Sequence, residues 1–290
     1  MGGLVRAGPD ACRLRAAAAT VDRHLPEIVE TLLNGAGAIV IDRGFAAEEV
    51  AEARALLLEH SNHQSNKVTH FQGANTDKLD LQRRVWNLLN NGEVFEAMAQ
   101  HPAVMTIAAA FLGDEFQMGS IAANRLLPGG PGQEPHIDYP YWDLYKRSSF
   151  PTNINSSFPM NLQATILIDD FTDTNGATAF VPFSQGELVY PDDQAAFDRD
   201  AIRLTGKAGD IAVFNGMCWH CAMPNESDAD RTGVLIEYLP KFVRPLEDHS
   251  VVRADVVERA TPMLAQLLGI GYPYPQVLDD ADAVNAEGRR

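Results

Sequence analysis

Two short stretches carry the side chains whose types and spacing favour metal chemistry. In QEPHIDYPYWD, His136 and Asp138 are two positions apart. Alternate residues of an extended strand point to the same side, so this imidazole and this carboxylate can bind one ion. The second stretch, GDIAVFNGMCWH, ends at His220 and supplies another imidazole from a different strand. Two imidazoles and one carboxylate form a face that suits Fe(II) and leaves positions open for a bidentate co-substrate and O2.

An arginine follows the second histidine at a spacing that fits an antiparallel return of the chain. Arg231 lies eleven residues after His220, at the start of the next predicted strand. If AMPNESDAD forms the turn, Arg231 comes back to the depth of the metal. A guanidinium there can bind the distal carboxylate of a dicarboxylate in a bidentate manner, which lysine cannot do. The ordered set of H-x-D, turns, histidine and arginine favours a dicarboxylate-binding role for Arg231 over that of a solvated surface charge.

Two cysteines close to His220 raise the alternative of a zinc site or a redox pair. Cys218 and Cys221 have the C-x-x-C spacing, but the sequence has no second such pair, and Cys12 lies far away. A redox C-x-x-C normally begins a helix, and no helical pattern follows here. On a strand, successive residues point to opposite faces, so Cys218 shares a face with His220 and Cys221 points to the other one. The two cysteines therefore cannot both bind an ion together with His220. We predict that the cysteines are bystanders.

Hydrophobic periodicity divides the chain into a helical first part and a strand-rich second part. Helical spacing of apolar residues occurs in HLPEIVETLLNG, AAEEVAEARALLLEH, LQRRVWNLLNNGEVFEAMAQ and HPAVMTIAAAFLG, with a short strand in AGAIVIDRGF. From Glu115 onwards, turn-bounded strands are predicted in EFQMGSIAANRLLPGG, NLQATILIDDF, GATAFVPFSQ, KAGDIAVFNG and TGVLIEYLP. One more helical pattern, VVRADVVERATPMLAQLLG, follows Pro245.

This order of elements predicts a mainly β fold with flanking helices. The specific expectation is a double-stranded β-helix (jelly roll) with a helical N-terminal cap. We expect a single domain across residues 1–290, with the cap at 12–113 and the jelly-roll core at about 115–245. A C-terminal helix and a mobile tail are expected at 246–290.

Composition limits the partners that the protein can bind. The formal net charge is −16 and the pI is about 4.8, which disfavours nucleic acid and anionic membrane surfaces. The same charge argues against coenzyme A thioesters as substrates. Three cysteines do not form a disulfide framework, and no apolar run reaches the roughly 18 residues of a membrane helix, so we predict a cytoplasmic protein. A small-molecule substrate is the remaining expectation, and the sequence says nothing about oligomeric state.

From about residue 36 to residue 240 the chain resembles the phytanoyl-CoA dioxygenase-like branch of Fe(II)/2-oxoglutarate oxygenases. The matching segments are the His136-Ile-Asp138 tripeptide, NGATAFVPFSQ, AGDIAVFNGMCWH and HCAMPNESDADR. The resemblance implies Fe(II), 2-oxoglutarate and O2 as cofactor and co-substrates. It also implies iron ligation and 2-oxoglutarate binding by particular residues. The implied iron ligands are His136, Asp138 and His220, and the implied 2-oxoglutarate contacts are Arg231 at the C5 carboxylate, Gln133 and Thr178.

The chain departs from the family pattern at one turn. Pro182-Phe183-Ser184-Gln185 stands where relatives usually have Pro-Gly-Ser-His, a difference that concerns loop shape and substrate contacts but no metal ligand. The presence of Asp138 disfavours the halogenase variant of the family. Aromatic and apolar side chains are expected to form the walls of the substrate pocket. The predicted pocket residues are Tyr139, Tyr141, Trp142, Met118 and Trp219.

The resulting hypothesis is oxidation of a C–H bond in a small, specialised-metabolite substrate, by hydroxylation or else by desaturation, epoxidation or ring formation. Within this class, the substrate could instead be an acyl or aminoacyl group on a carrier. Two other classes stay open at this point. They are a cupin-like metalloenzyme that does not use 2-oxoglutarate and a non-enzymatic small-molecule binder.

Overall fold

The computed structural model describes residues 14–62, 76–138, 159–187 and 190–270. The helices are α1 (Val21–Leu33), α2 (Ala47–Asn62), α3 (Glu93–Ala99), α4 (Pro102–Leu112), α5 (Gln194–Asp200), α6 (Ala254–Glu258) and α7 (Pro262–Leu267). The strands are β1 (Leu14–Ala17), β2 (Ala38–Asp42), β3 (Gln82–Val85), β4 (Phe116–Leu126), β5 (Leu162–Leu167), β6 (Thr178–Phe180), β7 (Ile202–Arg203), β8 (Ile211–Asn215), β9 (His220–Ala222) and β10 (Arg231–Pro240).

The strands form two sheets that enclose the candidate site. The large sheet has the order β1-β2-β8-β5-β10-β4-β3, and the small sheet has the order β7-β6-β9. Alternation along β8 shows how the large sheet serves two cores: Ile211 and Val213 pack with the helices, whereas Ala212 and Phe214 pack towards the small sheet. This arrangement confirms the predicted jelly roll with flanking helices.

A bulge in β4 decides which of its side chains face the space between the sheets. Ser120 pairs with Glu237 of β10, whereas Met118 pairs with Tyr238, so Gly119 is the extra residue. A bulge reverses the side on which residues before and after it point. Met118 and Tyr238 therefore lie in the core against the helices, and the Tyr238 hydroxyl donates to the carbonyl of Ala99 at 2.8 Å. Ser120 faces the cavity.

The predicted helix in LQRRVWNLLNNGEVFEAMAQ is wrong in its first part. Residues Gln82–Val85 form the edge strand β3, which pairs antiparallel with β4, and the helix is confined to Glu93–Ala99. Pairing with the long strand β4 outweighs the weak helical preference of this segment, because tertiary context overrides propensity differences of tenths of a kcal/mol. The register places Arg84 beside Asn124 of β4.

Most of the other sequence expectations hold, with differences at both ends of the chain. Helices α1, α2 and α4 and strands β2, β4, β5, β8 and β10 lie where the periodicity predicts them. The C-terminal pattern gives two short helices because Pro262 begins α7, with the Thr261 hydroxyl accepting from Leu264 N at 3.0 Å. The segment expected to be a helical cap also contributes β1, β2 and β3 to the large sheet. Among the described residues, no helix combines the length and apolar character needed to cross a bilayer.

Candidate active site

Three of the predicted ligand side chains converge beside the small sheet. His220 begins β9 and forms an isolated antiparallel bridge with His136, through backbone hydrogen bonds of 2.9 and 3.0 Å. Asp138 is held by its backbone N–H, which donates to the carbonyl of Gly216 at 3.0 Å. One ligand atom from each of the three side chains lies within 4.8 Å of the others. A single ion can therefore contact all three.

Hydrogen bonds to backbone carbonyls fix the tautomer of both imidazoles. Nδ1 of His136 lies 2.7 Å from the carbonyl of Glu134, and Nδ1 of His220 lies 2.8 Å from the carbonyl of Cys218. A carbonyl can only accept, so Nδ1 carries the proton in each ring. The lone pair of Nε2 is then directed towards Asp138, which lies 3.7 Å from His136 Nε2 and 3.1 Å from His220 Nε2. Such outer hydrogen bonds orient imidazole ligands in metal sites.

Burial and mutual charge set the ionisation of the three groups. Burial, with the neighbouring His220, lowers the pKa of His136 to about 3, so this imidazole is neutral near pH 7. Burial acts against the charge of His220, but the Asp138 carboxylate outweighs it and raises the pKa of His220. Burial likewise opposes the charge of Asp138, and the two histidines outweigh it and lower its pKa. A metal ion binds neutral imidazoles and an ionised carboxylate. The ionised Asp138 would supply the negative charge that attracts the cation.

Arg231 lies deep in the same cavity as a buried cation. It is only 2% exposed, its Nη2 donates to the carbonyl of Gly176, and its guanidinium lies 4.7 Å from the ring centre of Phe171. No carboxylate of the described residues pairs with it, and its Nε has no hydrogen-bond acceptor among them. Burial, together with Arg84, lowers its pKa to about 10. An uncompensated buried cation is costly, so this site is built for an anion.

Gln133 and Thr178 line the cavity on either side of Ala222, at the end of β9. The Gln133 backbone N–H donates to the Ala222 carbonyl at 2.7 Å, and its side-chain oxygen accepts from Ala222 N at 3.2 Å. Thr178 pairs with Ala222 on the neighbouring strand β6. Both side chains share the cavity with the histidines and Arg231. The structure therefore brings together all six residues that the sequence singled out for iron and 2-oxoglutarate.

The structure adds a second arginine that the sequence analysis missed. Arg84 of β3 lines the cavity and lies 5.5 Å from the ring centre of Trp86, and its Nε has no acceptor among the described residues. Burial lowers its pKa, although Asp138 and Glu247 act in the opposite direction. The signal was hidden by the helical interpretation of this segment. If QRRV had been interpreted as a strand, Arg83 and Arg84 would have pointed to opposite faces, and one of them would have been a candidate for the cavity lining.

The predicted pocket walls need correction at two of the five positions. Met118 lies in the core against the helices because of the bulge at Gly119, and it does not line the cavity. Trp219 precedes His220 on the chain and so points to the other face, where it packs beside Phe197 and Cys221. Tyr139, Tyr141 and Trp142 lie outside the described residues. The described apolar lining consists instead of Trp86, Phe214, Ala222, Leu235 and Leu246.

The two cysteines near His220 are buried and contact neighbouring side chains. The thiol of Cys218 lies 3.3 Å from Oε1 of Gln185, and the thiol of Cys221 lies 3.6 Å from the sulfur of Met223. Burial raises both thiol pKa values to about 12, so neither is a ready metal ligand. Among the described residues, the one group of side chains close enough to hold a metal contains no cysteine.

The Pro182-Phe183-Ser184-Gln185 turn, which departs from the family pattern, contacts the segment before β9 and does not line the cavity. Phe183 adopts a left-handed backbone with φ of 67°. The Ser184 hydroxyl accepts from Trp219 N at 2.8 Å, and the Gln185 amide donates to the carbonyl of Gly35 at 2.8 Å. The first contact holds the backbone just before His220, and the second ties the turn to the segment that follows α1.

The donor set fits a ferrous ion, and the cavity fits a keto diacid. Two imidazoles with Nδ1–H held by backbone carbonyls and one carboxylate are grouped on a jelly roll, with a buried arginine that has no carboxylate partner among the described residues. These features define the class of mononuclear non-haem iron oxygenases. Comparison with known proteins then gives the family. The family model described as "Phytanoyl-CoA dioxygenase (PhyH)" matches residues 33–233, which is more than two thirds of the sequence. The chain belongs to the phytanoyl-CoA dioxygenase family.

Curated relatives are dioxygenases from fungi. The chain is 35% identical to the dioxygenase cdmA of Talaromyces verruculosus over 158 residues, which cover 53% of this chain and 50% of that protein. It is 28% identical to the dioxygenase ALT11 of Alternaria alternata, with 89% and 85% of the two chains covered. It is 27% identical to the Fe(II)/2-oxoglutarate-dependent dioxygenase nvfF of Aspergillus novofumigatus, with 64% and 61% covered. The match thus spans about half to five sixths of these relatives.

Solved structures support the fold. The alpha-ketoglutarate-dependent epimerase SnoN from nogalamycin biosynthesis superposes with a TM-score of 0.58 at 18% identity, covering 81% of this chain and 89% of SnoN. A complex of SnoN with Fe3+, alpha ketoglutarate and nogalamycin RO gives the same TM-score at 19% identity, covering 78% of this chain and 88% of SnoN. Membership of the family is thus confirmed, and the name of the relative nvfF agrees with the predicted use of Fe(II) and 2-oxoglutarate.

Proposed function

We propose that this protein oxidises a C–H bond of a small, specialised-metabolite substrate, with Fe(II) bound by His136, Asp138 and His220 and 2-oxoglutarate bound at Arg231. The observation that carries the proposal is the grouping of three ligand atoms within 4.8 Å of one another in a cavity that also contains an unpaired, buried arginine. A cupin-like enzyme or a simple binder would have no use for that arginine. The overall reaction combines R–H, 2-oxoglutarate and O2 into R–OH, succinate and CO2.

When bound, Fe(II) and 2-oxoglutarate supply an oxidant that can break a C–H bond. The side chains of this chain position the reactants. The carbonyls of Glu134 and Cys218 hold the two imidazoles with Nε2 turned towards the ion. The Asp138 carboxylate offsets part of the ion's charge. The ring of Phe214 packs against His220 with 4.9 Å between ring centres, and so keeps water from that side of the ligand.

Two arginines match the two carboxylates of 2-oxoglutarate. Arg231 would bind the C5 carboxylate at the far end of the cavity, with Gln133 and Thr178 beside it. Arg84 lines the same cavity and has an unused Nε–H donor, so it would meet the remaining negative charge nearer the metal. Because both guanidiniums are held away from bulk water, their hydrogen bonds to carboxylates are strong.

The proposal extends to the organisation and setting of the protein. We propose that the chain is one oxygenase domain with a jelly-roll core at about 115–245, since strands from both parts of the chain share the large sheet. A free small molecule is the proposed substrate, without a nucleic-acid or membrane partner, because the net charge of −16 disfavours polyanions. The unpaired Cys218 and Cys221 support a reducing, cytoplasmic setting.

An anaerobic titration tests the proposed function directly. Addition of Fe(II) and then 2-oxoglutarate to the purified protein is expected to produce the weak visible charge-transfer absorption of the chelate. Succinate, which lacks the keto group, serves as the control ligand and is expected to give no such absorption. If 2-oxoglutarate also produced none at saturating Fe(II), the proposed use of this co-substrate would be wrong.

Arg84→Met is expected to weaken 2-oxoglutarate binding by roughly tenfold, because one charge-assisted hydrogen bond of about 1.5 kcal/mol or more is lost. Fe(II) affinity without 2-oxoglutarate should stay the same. The charge-transfer absorption measures the 2-oxoglutarate constant, and an anaerobic calorimetric titration with Fe(II) alone measures the metal affinity. Arg83→Met is the matched control, because Arg83 is the neighbour on β3 and donates instead to the carbonyls of Asp80 and Ser61. Equal effects of the two substitutions would contradict a specific role for Arg84.

A further inference from the structure

Four buried polar side chains face the cavity without hydrogen-bond partners of their own. All four are at least nine-tenths buried and lie on β4 or β5, and their side chains make no hydrogen bond to another residue in the described parts of the chain. They are Ser120, Asn124, Gln163 and Thr165. Buried polar groups in proteins are nearly always hydrogen-bonded, since an unsatisfied group costs about 1–3 kcal/mol. Of the four, Asn124 has a fully buried oxygen with no partner, and the other three present their polar atoms to the cavity. A ligand that fills the cavity would supply partners to all four.

Strand register separates these side chains into two groups. Asn124 pairs with Gly233, two positions from Arg231, and therefore lies at the end of the cavity proposed for 2-oxoglutarate. Ser120 pairs with Glu237, and Gln163 pairs with the same residue from the other side. Glu237 is six positions from Arg231, or roughly 20 Å along the strand. Ser120 and Gln163 are thus remote from the 2-oxoglutarate end.

Gln163 also lies on the metal side of the cavity. Its register partner on β8 is Phe214, the residue whose ring packs against the ligand His220. A primary substrate must reach the metal from the side that 2-oxoglutarate leaves open. Since 2-oxoglutarate extends from the metal towards Arg231, the open side is the one that presents Ser120 and Gln163.

This end of the cavity carries no unmatched charge in the described structure. The cations among the described lining residues are Arg84 and Arg231, apart from the candidate ligand histidines, and the two carboxylates of 2-oxoglutarate match them. Glu237 accepts from Asn161, and burial, with the charges of Asp138 and Glu247, raises its pKa well above the ordinary value. The neighbouring walls are apolar, formed by Trp86, Leu235 and Leu246.

We propose that Ser120 and Gln163 form a subsite for an uncharged hydroxyl or carbonyl group of the primary substrate, which is a neutral, oxygenated and largely apolar small molecule. This inference rests on the proposed function, since it places the substrate beside the iron. The hydroxyl and carboxamide can each donate and accept, so they suit a group that does the same. The apolar walls suit the hydrocarbon framework of such a molecule. The nearest described cation is Arg84, 5.5 Å from the ring centre of Trp86, and it is assigned above to 2-oxoglutarate. An ionised carboxylate of the primary substrate would therefore have no free cation to pair with, and its desolvation would be uncompensated.

Matched pairs of ring compounds test the charge and the hydrogen-bonding parts of the proposal together. Shikimic acid, deoxycholic acid and cholic acid would each be supplied as the free acid and as the methyl ester, so that shape and hydroxyl groups stay constant within a pair. Binding is read anaerobically, from the change that each compound makes in the Fe(II)–2-oxoglutarate absorption, and then aerobically, from stimulated succinate release. At least one ester is expected to bind about tenfold or more tightly than its acid.

Two variants connect that binding to the subsite. Ser120→Ala and Gln163→Leu are each expected to raise the half-saturating concentration of the responding ester by about three- to tenfold, the effect of one lost hydrogen bond. Their affinities for Fe(II) and 2-oxoglutarate should not change. Ser61→Ala is the control, because it removes another buried serine hydroxyl, which accepts from Arg125 outside the cavity.

The outcomes distinguish the subsite from the underlying function. Acids that bind as well as their esters, a panel in which no ester responds, or variants that behave like Ser61→Ala would each overturn the proposal. If the Fe(II)–2-oxoglutarate absorption forms normally in those cases, the proposed oxygenase function stands and only the subsite assignment is wrong. Absence of the absorption itself would instead contradict the function.

Discussion

A His136→Ala variant is expected to lose Fe(II) binding and 2-oxoglutarate turnover together. His136 provides one of three protein ligands, and its Nδ1 is already committed to the carbonyl of Glu134. Removal of a hydrogen-bond partner of a ligand costs about 10- to 100-fold in metal affinity, so loss of the ligand itself should cost more. Activity should fall by at least about 1,000-fold, a barrier increase of roughly 4 kcal/mol. Fe(II) titration and succinate release measure the two effects.

The control for this experiment is another histidine with a backbone hydrogen bond. His101 packs against Phe45, and its Nε2 lies 2.9 Å from the carbonyl of Gly44, well away from the candidate ligands in sequence. His101→Ala should lose some stability and keep full Fe(II) affinity. Turnover that survives in His136→Ala at saturating Fe(II) would show that the triad does not hold the catalytic metal.

The candidate metal ligands could be predicted from the sequence because their signals are local. His136 and Asp138 share one face of an extended segment, and His220 is placed by the turn signals that bound β8 and β9. Strand alternation and short turns are properties of a few consecutive residues. The family resemblance then assigned Gln133 and Thr178, and the structure places both in the same cavity.

The residues that the sequence missed depend on contacts between distant segments. Arg84 reaches the cavity because Gln82–Val85 pairs with β4, a contact that no local periodicity reports. Met118 leaves the cavity because one extra residue, Gly119, reverses the side of β4 on which it points. A sequence pattern of strict alternation cannot show where a bulge interrupts it.

The unpaired polar side chains left a sequence signal that was not used. Ser120 and Asn124 interrupt the apolar run of β4 at even spacing, and Gln163 and Thr165 do the same on β5. In a strand that is buried on both faces, such residues need partners. The pattern predicts a polar face, but only the pairing of both strands with β10 shows that the two faces meet at one cavity.

Arg231→Leu is expected to raise the half-saturating concentration of 2-oxoglutarate by about 100-fold or more. Truncation of one partner of a buried, hydrogen-bonded charge pair typically costs about 2–5 kcal/mol. The half-saturating concentration of Arg231→Lys should lie between those of the wild type and Arg231→Leu, because an ammonium keeps the charge and loses the bidentate geometry. Fe(II) affinity without 2-oxoglutarate should be unchanged in both variants. Arg54→Leu, which removes a surface arginine paired with Asp169, is the control.

The same substitution should have the opposite effect on the stability of the ligand-free protein. Arg231 is buried with no carboxylate partner in the described structure, and burial lowers its pKa to about 10, so the folded state bears the cost of an uncompensated cation. Leucine has no such cost, and replacement of buried charges by apolar residues is often neutral or stabilising by about 1–4 kcal/mol. Without 2-oxoglutarate, Arg231→Leu should therefore unfold at the same temperature as the wild type or higher.

At 100 times the wild-type Kd, 2-oxoglutarate should then stabilise the wild type by about 2.3 kcal/mol more than the variant, which reverses their order when leucine stabilises the ligand-free protein by less than that. A ligand that binds only the folded state stabilises it by about 2.7 kcal/mol at a concentration of 100 Kd, and a variant with a 100-fold weaker Kd gains less than about 0.5 kcal/mol at that concentration. Thermal unfolding with Fe(II), with and without 2-oxoglutarate, measures this crossing. A variant that is less stable than the wild type by the same amount in both conditions would mean that Arg231 supports the fold and does not bind the co-substrate.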